Sequence, residues 1–262
     1  MKPILNVKKL TMDFGGIRAL NRLDLDIHQG EIVALIGPNG AGKTTFFNCI
    51  TGIYSPTKGD ILVTPPEKDT IKVNGYKPHL VTELGMARTF QNIRLFPNMT
   101  VLENVMIGRH CRTSSGIFGA LFRNRSTRKE EKAVLKDSYR LLEKVDLADQ
   151  VNEIAKNLPY GDQRKLEIAR AMATDPFLLL LDEPAAGMNP QETSELVDLI
   201  LKIRDEDSIS ILLIEHDMKL VMTLSDRIFV MDYGKKIAQG LPEEIRANPV
   251  VIKAYLGEDI DD

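Results

Sequence analysis

The chain has 262 residues, with 34 Lys plus Arg against 37 Asp plus Glu, a formal charge of −3 and 43% hydrophobic residues. A balance so close to neutral argues against broad nucleic-acid binding, which favours a basic domain, and no run reaches the ~18–20 apolar residues of a membrane span. Two cysteines, Cys49 and Cys111, cannot build a disulfide framework, and residues 1–9 lack the apolar core of a secretion signal, so a cytosolic protein is expected, with any membrane role supplied by a partner.

Apolar and polar residues alternate over 7–14 and 23–27, which predicts half-buried strands. Glu31-Ile32-Val33-Ala34-Leu35-Ile36 is instead a continuous run ending in glycine, the pattern of a strand covered on both faces. Residues 59–63 and 70–73, split by Thr64-Pro65-Pro66-Glu67-Lys68-Asp69, predict a hairpin with a long surface turn. The middle reads as helical: Thr100-x-x-Glu103 and Thr127-x-x-Glu130 are capping-box patterns, each opening a helix. The second leads into Ala133, Leu135, Leu141, Leu142 and Val145, an amphipathic spread. Between them, 108–126 is rich in Gly, Ser and Arg and predicts a loop or small insert. Residues 177–181 and 209–214 read as buried strands; between them Asn189-Pro190 supplies an N-cap and an N1 proline for a helix burying Leu196, Leu199, Ile200 and Ile203. Two short helices over 243–256 and a frayed acidic tail over 258–262 complete the chain. Such alternation implies a mostly parallel sheet interrupted by a helical middle.

Gly37-Pro38-Asn39-Gly40-Ala41-Gly42-Lys43-Thr44 fits G-x-x-x-x-G-K-[ST] in full, between a buried strand and a helix opening at Thr45. Glycines let successive backbone N–H groups curve inward as an anion nest, and the helix N-terminus adds partial positive charge. Lys43 can reach β- and γ-phosphates, and the Thr44 hydroxyl can hold Mg²⁺. Asp182 and Glu183 end an apolar strand on the side where ligands bind in such sheets. Asp182 suits a Mg²⁺ partner, and Glu183 suits a general base acting on water. No N-K-x-D motif for reading guanine is present.

Five stretches in order resemble the ATP-binding subunits of ABC transporters: the phosphate loop; Thr89-Phe90-Gln91; Leu158-Pro159-Tyr160-Gly161-Asp162-Gln163-Arg164; Leu181-Asp182-Glu183-Pro184; and Glu215-His216-Asp217. The resemblance implies a P-loop NTPase core of mostly parallel sheet (1–91 and 158–240), with an N-terminal antiparallel β subdomain. It also implies a helical signature subdomain over 92–157, carrying the insert 108–126, with C-terminal helices and tail over 241–262. ATP and Mg²⁺ are the implied ligands. Gln91 takes the place of the glutamine that helps ligate Mg²⁺ and follows the γ-phosphate, and His216 that of the histidine contacting the γ-phosphate. Phe14 sits where an aromatic ring stacks on adenine, although a strand-core phenylalanine reads equally well. Asn189 stands where the family's D-loop has Asp.

The family signature LSGGQ departs here to Leu158-Pro159-Tyr160-Gly161-Asp162, and Pro159 removes a serine hydroxyl and a backbone N–H. A helix over 163–173 is still expected to aim its positive end at the phosphate. Tyr160, Gly161, Asp162 and Gln163 would serve the nucleotide of a second subunit. The implied assembly pairs two such ATPase subunits, identical or different, with two integral membrane permease subunits at the cytoplasmic face of the inner membrane, and indirectly with a substrate-binding protein.

Gly85-Met86-Ala87-Arg88-Thr89-Phe90-Gln91-Asn92 and Glu183-Pro184-Ala185-Ala186-Gly187-Met188-Asn189-Pro190 look like the subgroup that serves branched-chain amino-acid importers. The alternatives are a soluble ABC ATPase acting on nucleic acid or ribosomes, or such a subunit serving a different substrate, urea or lipid. An ABC ATPase acting on nucleic acid or ribosomes usually has a long coiled coil or two cassettes in one chain. A small-molecule kinase would have no reason to carry the signature or His216. In the insert, Arg109, Arg112, Arg123, Arg125, Arg128 and Lys129 interleave with Ile117, Phe118, Leu121 and Phe122. That pattern suits either contact with an anionic membrane surface or an ordinary solvated face.

Overall fold

The structure is a computed structural model, and it describes residues 2–112 and 125–256. Strands β1 (Leu5–Phe14), β2 (Ile17–Ile27), β4 (Lys58–Val63) and β5 (Ile71–Lys72) form an antiparallel sheet in the order β2-β1-β4-β5. A second sheet contains β3 (Ile32–Ile36), β6 (Met86–Arg88), β7 (Leu178–Asp182), β8 (Ser210–Ile214), β9 (Arg227–Asp232) and β10 (Lys235–Gly240), in the order β10-β9-β3-β8-β7-β6. All its pairings are parallel except β9 with β10.

The continuous apolar runs are explained by what covers each face. Val33, Leu35, Leu178, Leu180, Leu212 and Ile214 point toward the antiparallel sheet, with Phe46, Phe47 and Ile50 of α1 (Lys43–Ile50) packed between. Ile32, Ala34, Ile36, Leu179, Leu181, Ile211 and Leu213 point the other way, onto the helical layer. Each wholly buried aliphatic side chain is worth about 1.5–3 kcal/mol relative to exposure. β3, β8 and β7 lie side by side, with Leu35 opposite Ile214 and Ile214 opposite Asp182. Their C-terminal ends therefore release three loops at one sheet edge, which is where open α/β sheets bind ligands.

The helical layer comprises α3 (Val101–Arg109), α4 (Arg125–Lys144), α5 (Tyr160–Met172), α6 (Pro190–Asp207) and α7 (Met218–Leu224). Thr100 caps α3 in a reciprocal box with Glu103, and Asn189 does the same for α6 with Glu192. Leu196, Leu199, Ile200 and Ile203 are buried as their spacing requires. The other expected box fails: α4 begins at Arg125, so Thr127 lies inside the helix rather than at its cap. Helix α5 also starts earlier than expected, at Tyr160, with Pro159 as its N-cap residue. Helix α2 (Pro78–Glu83), helix α7 and strands β6, β9 and β10 have no counterpart among the elements the sequence pattern predicts. The C-terminal pair, α8 (Pro242–Arg246) and α9 (Pro249–Leu256), matches the two short helices expected over 243–256.

Of the basic stretch, the insert's residues 113–124, the side chains of 125–129 and the acidic tail lie outside the described residues. Arg109 and Arg112 are engaged within the chain. Arg109 pairs with Asp137 at 2.8 Å, and Arg112 donates to the carbonyls of Thr174 (2.6 Å), Glu83 (3.0 Å) and Asp175 (3.2 Å). Those carbonyls lie at the C-terminal ends of α2 and α5, so Arg112 has a capping task there, while Arg109 is held by its ion pair.

Candidate active site

The phosphate loop, residues 37–42, leaves β3 and enters α1 at Lys43. It needs glycine where neighbouring backbone crowds it. A Cβ on Gly37 (φ +153°) would run into the Met231 carbonyl of β9, and one on Gly42 (φ +101°) would lie 2.7 Å from the Ala19 oxygen of β2. The loop is thus wedged between the two sheets, which sets its curvature. Lys43 is buried and donates to the carbonyls of Gly37 (2.6 Å) and Pro38 (3.0 Å) across the loop. Burial lowers its pKa, and the charges of Glu183 and Asp182 pull it back up. Residues 39–45 line a cavity of about 330 Å³ together with Ala19, Gln91, Glu183 and His216.

Three residues read from separate stretches of sequence meet at this cavity. The Glu183 carboxylate accepts from Gln91 Nε2 at 2.7 Å through one oxygen, and from His216 Nε2 at 2.8 Å through the other. Gln91 follows β6, Glu183 follows β7 and His216 follows β8, so the parallel register brings them together. Glu183 has φ +48°, a left-handed backbone that costs a non-glycine residue about 1–3 kcal/mol. That turn aims its side chain at the loop instead of continuing the strand direction. His216 is placed from below by Glu215, which is buried and accepts from the amides of Ala185 (2.8 Å) and His216 (3.0 Å). Burial raises the pKa of Glu215 against the lowering effect of those bonds, and the nearby charge of Glu183 adds to the rise. Asp217 then caps α7 through the amides of Lys219 and Leu220.

Asp182 occupies the end of β7 and is buried, but its setting holds a partner that sequence reasoning missed. Arg88 of β6 donates to Asp182 Oδ2 at 2.6 Å and to Asn48 Oδ1 of α1 at 2.7 Å. Its guanidinium sits 5.5 Å from the Phe47 ring centre and 5.3 Å from that of Phe90. The available signal was a lone arginine in a short apolar strand, in a protein with a lone aspartate ending another. Phe14 is 41% exposed and belongs to neither core; its ring meets Tyr54 edge to face, with centroids 5.2 Å apart. The strand-core reading of Phe14 is therefore excluded.

The signature residues stand apart from the cavity of their own chain. Tyr160, Gly161 and Asp162 form the first turn of α5, so their amides are the unbonded donors at its N-terminus. The N–H that Pro159 lacks belongs to the cap position, outside that turn. The Tyr160 ring packs on Gly187, Gly161 lies against Glu192, Asp162 accepts from Gln150 at 3.4 Å, and Gln163 turns its amide back to the Leu158 carbonyl at 2.9 Å.

A family model described as ABC transporter matches residues 20–186, and one described as branched-chain amino acid ATP-binding cassette transporter matches 235–261. Over 257 residues the chain is 49% identical to the high-affinity branched-chain amino acid transport ATP-binding protein LivG of Escherichia coli K12, covering 98% of this chain and 99% of that protein. Among solved structures, the ADP conformation of the ATP-binding cassette MJ1267 is similar with a TM-score of 0.83 and 30% identity, covering 98% of this chain and 100% of that one. A dimeric post-hydrolysis structure of the cassette MJ0796, bound to ADP and Pi, has a TM-score of 0.74 and 25% identity over 91% of this chain and 98% of that one. Likeness of this extent, in sequence and in fold, assigns the chain to the ABC transporter family, among its ATP-binding cassettes.

Proposed function

We propose that the chain is the ATP-hydrolysing subunit of an importer for branched-chain amino acids, with its catalytic centre at Glu183. The observation that carries the catalytic reading is the convergence of Gln91, Glu183 and His216 on the phosphate loop. The substrate class is supported by the likeness to LivG and by the family match over 235–261.

The loop amides and Lys43 bind the β- and γ-phosphates, an arrangement that is mostly placement and charge stabilisation. Glu183, oriented from both sides, accepts a proton from the attacking water. His216 donates toward the γ-phosphate as charge develops there, and Phe14, exposed at the turn of the β1–β2 hairpin, offers its ring to the adenine. Hydroxyl, amide and carboxylate oxygens from Thr44, Gln91 and Asp182 are the hard donors that suit Mg²⁺, which commonly takes few protein ligands beside substrate phosphates. Gln91 commits its nitrogen to Glu183, leaving the amide oxygen for a cation, and Asp182 has one oxygen beyond its bond to Arg88. The chemistry supplied by the ion there is neutralisation of phosphate charge.

The N-terminus of α5, carrying Tyr160, Gly161 and Asp162, completes the nucleotide site of a second cassette, in line with the dimeric neighbour. Loss of the γ-phosphate then loosens the pair, and the motion passes to two permease subunits at the cytoplasmic face of the membrane. Glu183→Gln is expected to retain ATP binding while turnover falls by about 10²–10⁴-fold. Equilibrium nucleotide binding and steady-state phosphate release measure the two separately, and undiminished release would remove Glu183 from the base role. Uptake of labelled leucine by vesicles holding the full complex tests the substrate class.

A further inference from the structure

The loop that carries Gln91 has no regular structure; between Phe90 and Arg94 its backbone groups find partners on the signature helix α5, while Phe96 is held by Asn104 of α3. From β6 the chain runs irregularly through residues 91–98. In such a stretch the main-chain donors and acceptors must be satisfied from elsewhere. Arg164, 0% exposed, donates to the carbonyls of Phe90 at 2.7 Å and Gln91 at 2.9 Å. The same guanidinium pairs with Glu167 at 2.9 Å, which is 1% exposed and accepts from the Arg94 amide at 3.2 Å. One turn on, Arg170 donates to the Arg94 carbonyl. The Arg94 guanidinium closes back over the Phe90 ring at 4.4 Å. Three side chains of one helix therefore hold four backbone groups between Phe90 and Arg94.

The Gln91 side chain itself is exposed, so packing does not fix its position. Its reach to Glu183 depends on where its backbone is held. An ion pair with no exposure costs desolvation that an apolar pair of similar volume would avoid. A fork that bonds two successive carbonyls recovers that cost as geometry.

We propose that Arg164, supported by Glu167, is a positioning residue for Gln91: it ties the glutamine loop of the catalytic centre to the helix whose first turn is the signature. The two move as one body. A displacement of the signature helix, which faces the partner's nucleotide, is then transmitted to Glu183 of its own chain through a span of backbone held at both carbonyls. The inference rests on the role given above to Gln91, and the variants below separate failure of one from failure of the other.

The full chain is compared with Arg164→Met/Glu167→Met, Arg164→Lys and Gln91→Ala, reading kcat and KM for ATP and the thermal midpoint without nucleotide. The double variant removes both charges together, so no unpaired charge is left buried, but the Phe90 and Gln91 carbonyls and the Arg94 amide lose their partners, and a midpoint modestly below wild type is expected. Its kcat should fall about tenfold or more, as misplacement of a catalytic group by an ångström does, with KM within about twofold. Arg164→Lys keeps the pair with Glu167 but not the fork, and should fall between the two. A folded double variant with undiminished kcat overturns the proposal. Should the double variant not fold, Arg164→Lys decides: wild-type kcat overturns the proposal, and a severalfold loss at unchanged midpoint supports it. If Gln91→Ala is fully active, the reading of Gln91 falls first; if it is slow while the double variant is fast, the clasp alone falls.

Discussion

Arg88 links three pieces of the site at the scale of single residues, and its loss has a defined cost. Its partner Asp182 is buried, so Arg88→Met leaves a carboxylate without its counter-charge in a closed setting. Breaking a buried pair from one side costs about 3–5 kcal/mol. Urea unfolding of the variant is expected to show a loss of that order, and a loss below about 1 kcal/mol would mean that water reaches Asp182 readily. The cysteines offer a second check. Burial pushes the Cys49 thiol up to about 12, while Cys111 is exposed. The thiolate is the reactive form, so at pH 9 Cys49 holds about one part in a thousand of it. Native protein should therefore take up one equivalent of maleimide at Cys111 quickly, with Cys49 labelling on denaturation. Rapid labelling of both in the native state would contradict the packing of α1 between the sheets. The same burial hid Arg88 and Arg164 from sequence reasoning. Neighbouring residues along the chain do not show that an arginine is enclosed by a carboxylate or by carbonyls 70 or more positions away.

Among the secondary-structure elements, α6 is the clearest case of local chemistry setting a boundary. Asn189 accepts from the amides of Gln191 and Glu192, Glu192 returns a bond to the Asn189 amide, and Pro190 occupies the first turn. Asn189→Ala is expected to destabilise the chain by about 1 kcal/mol, measured as a lower urea midpoint at unchanged slope. No shift would show that α6 is held by its packing alone. The box at Thr100 works in the same way, whereas the identical pattern at Thr127 lies within α4. The Thr-x-x-Glu pattern is chemically the same string in both places, and only the chain upstream decides whether a helix is already running. Strand β9 shows the converse limit. Ile228-Phe229-Val230-Met231 between two charged residues is too short for its periodicity to separate strand from helix. Pairing with β3 on one side and β10 on the other decides it.

For the whole molecule, the consequential prediction is association. The site holds Gln91, Glu183 and His216 from its own chain, while no residue of the signature turn lines it. With Glu183→Gln and ATP present, the chain is expected to sediment together with a second cassette, itself or a related partner, and to separate when ATP is replaced by ADP. Persistent monomer with either cassette under hydrolysis-blocked conditions would break the assembly reading. Resemblance to the ABC family singled out Gln91 and His216, whereas the amino-acid order alone determined the phosphate loop, the buried character of β3, β7 and β8, and the caps of α3 and α6. These rest on short-range rules: which backbone angles a residue permits, which face a side chain takes, and which groups cap a helix end. Tertiary structure decided that Phe14 is exposed, that Asp182 is paired with Arg88, and that Arg164 holds the glutamine loop. Each of those depends on a contact across dozens of residues, whose energy comes from enclosure by the assembled layers.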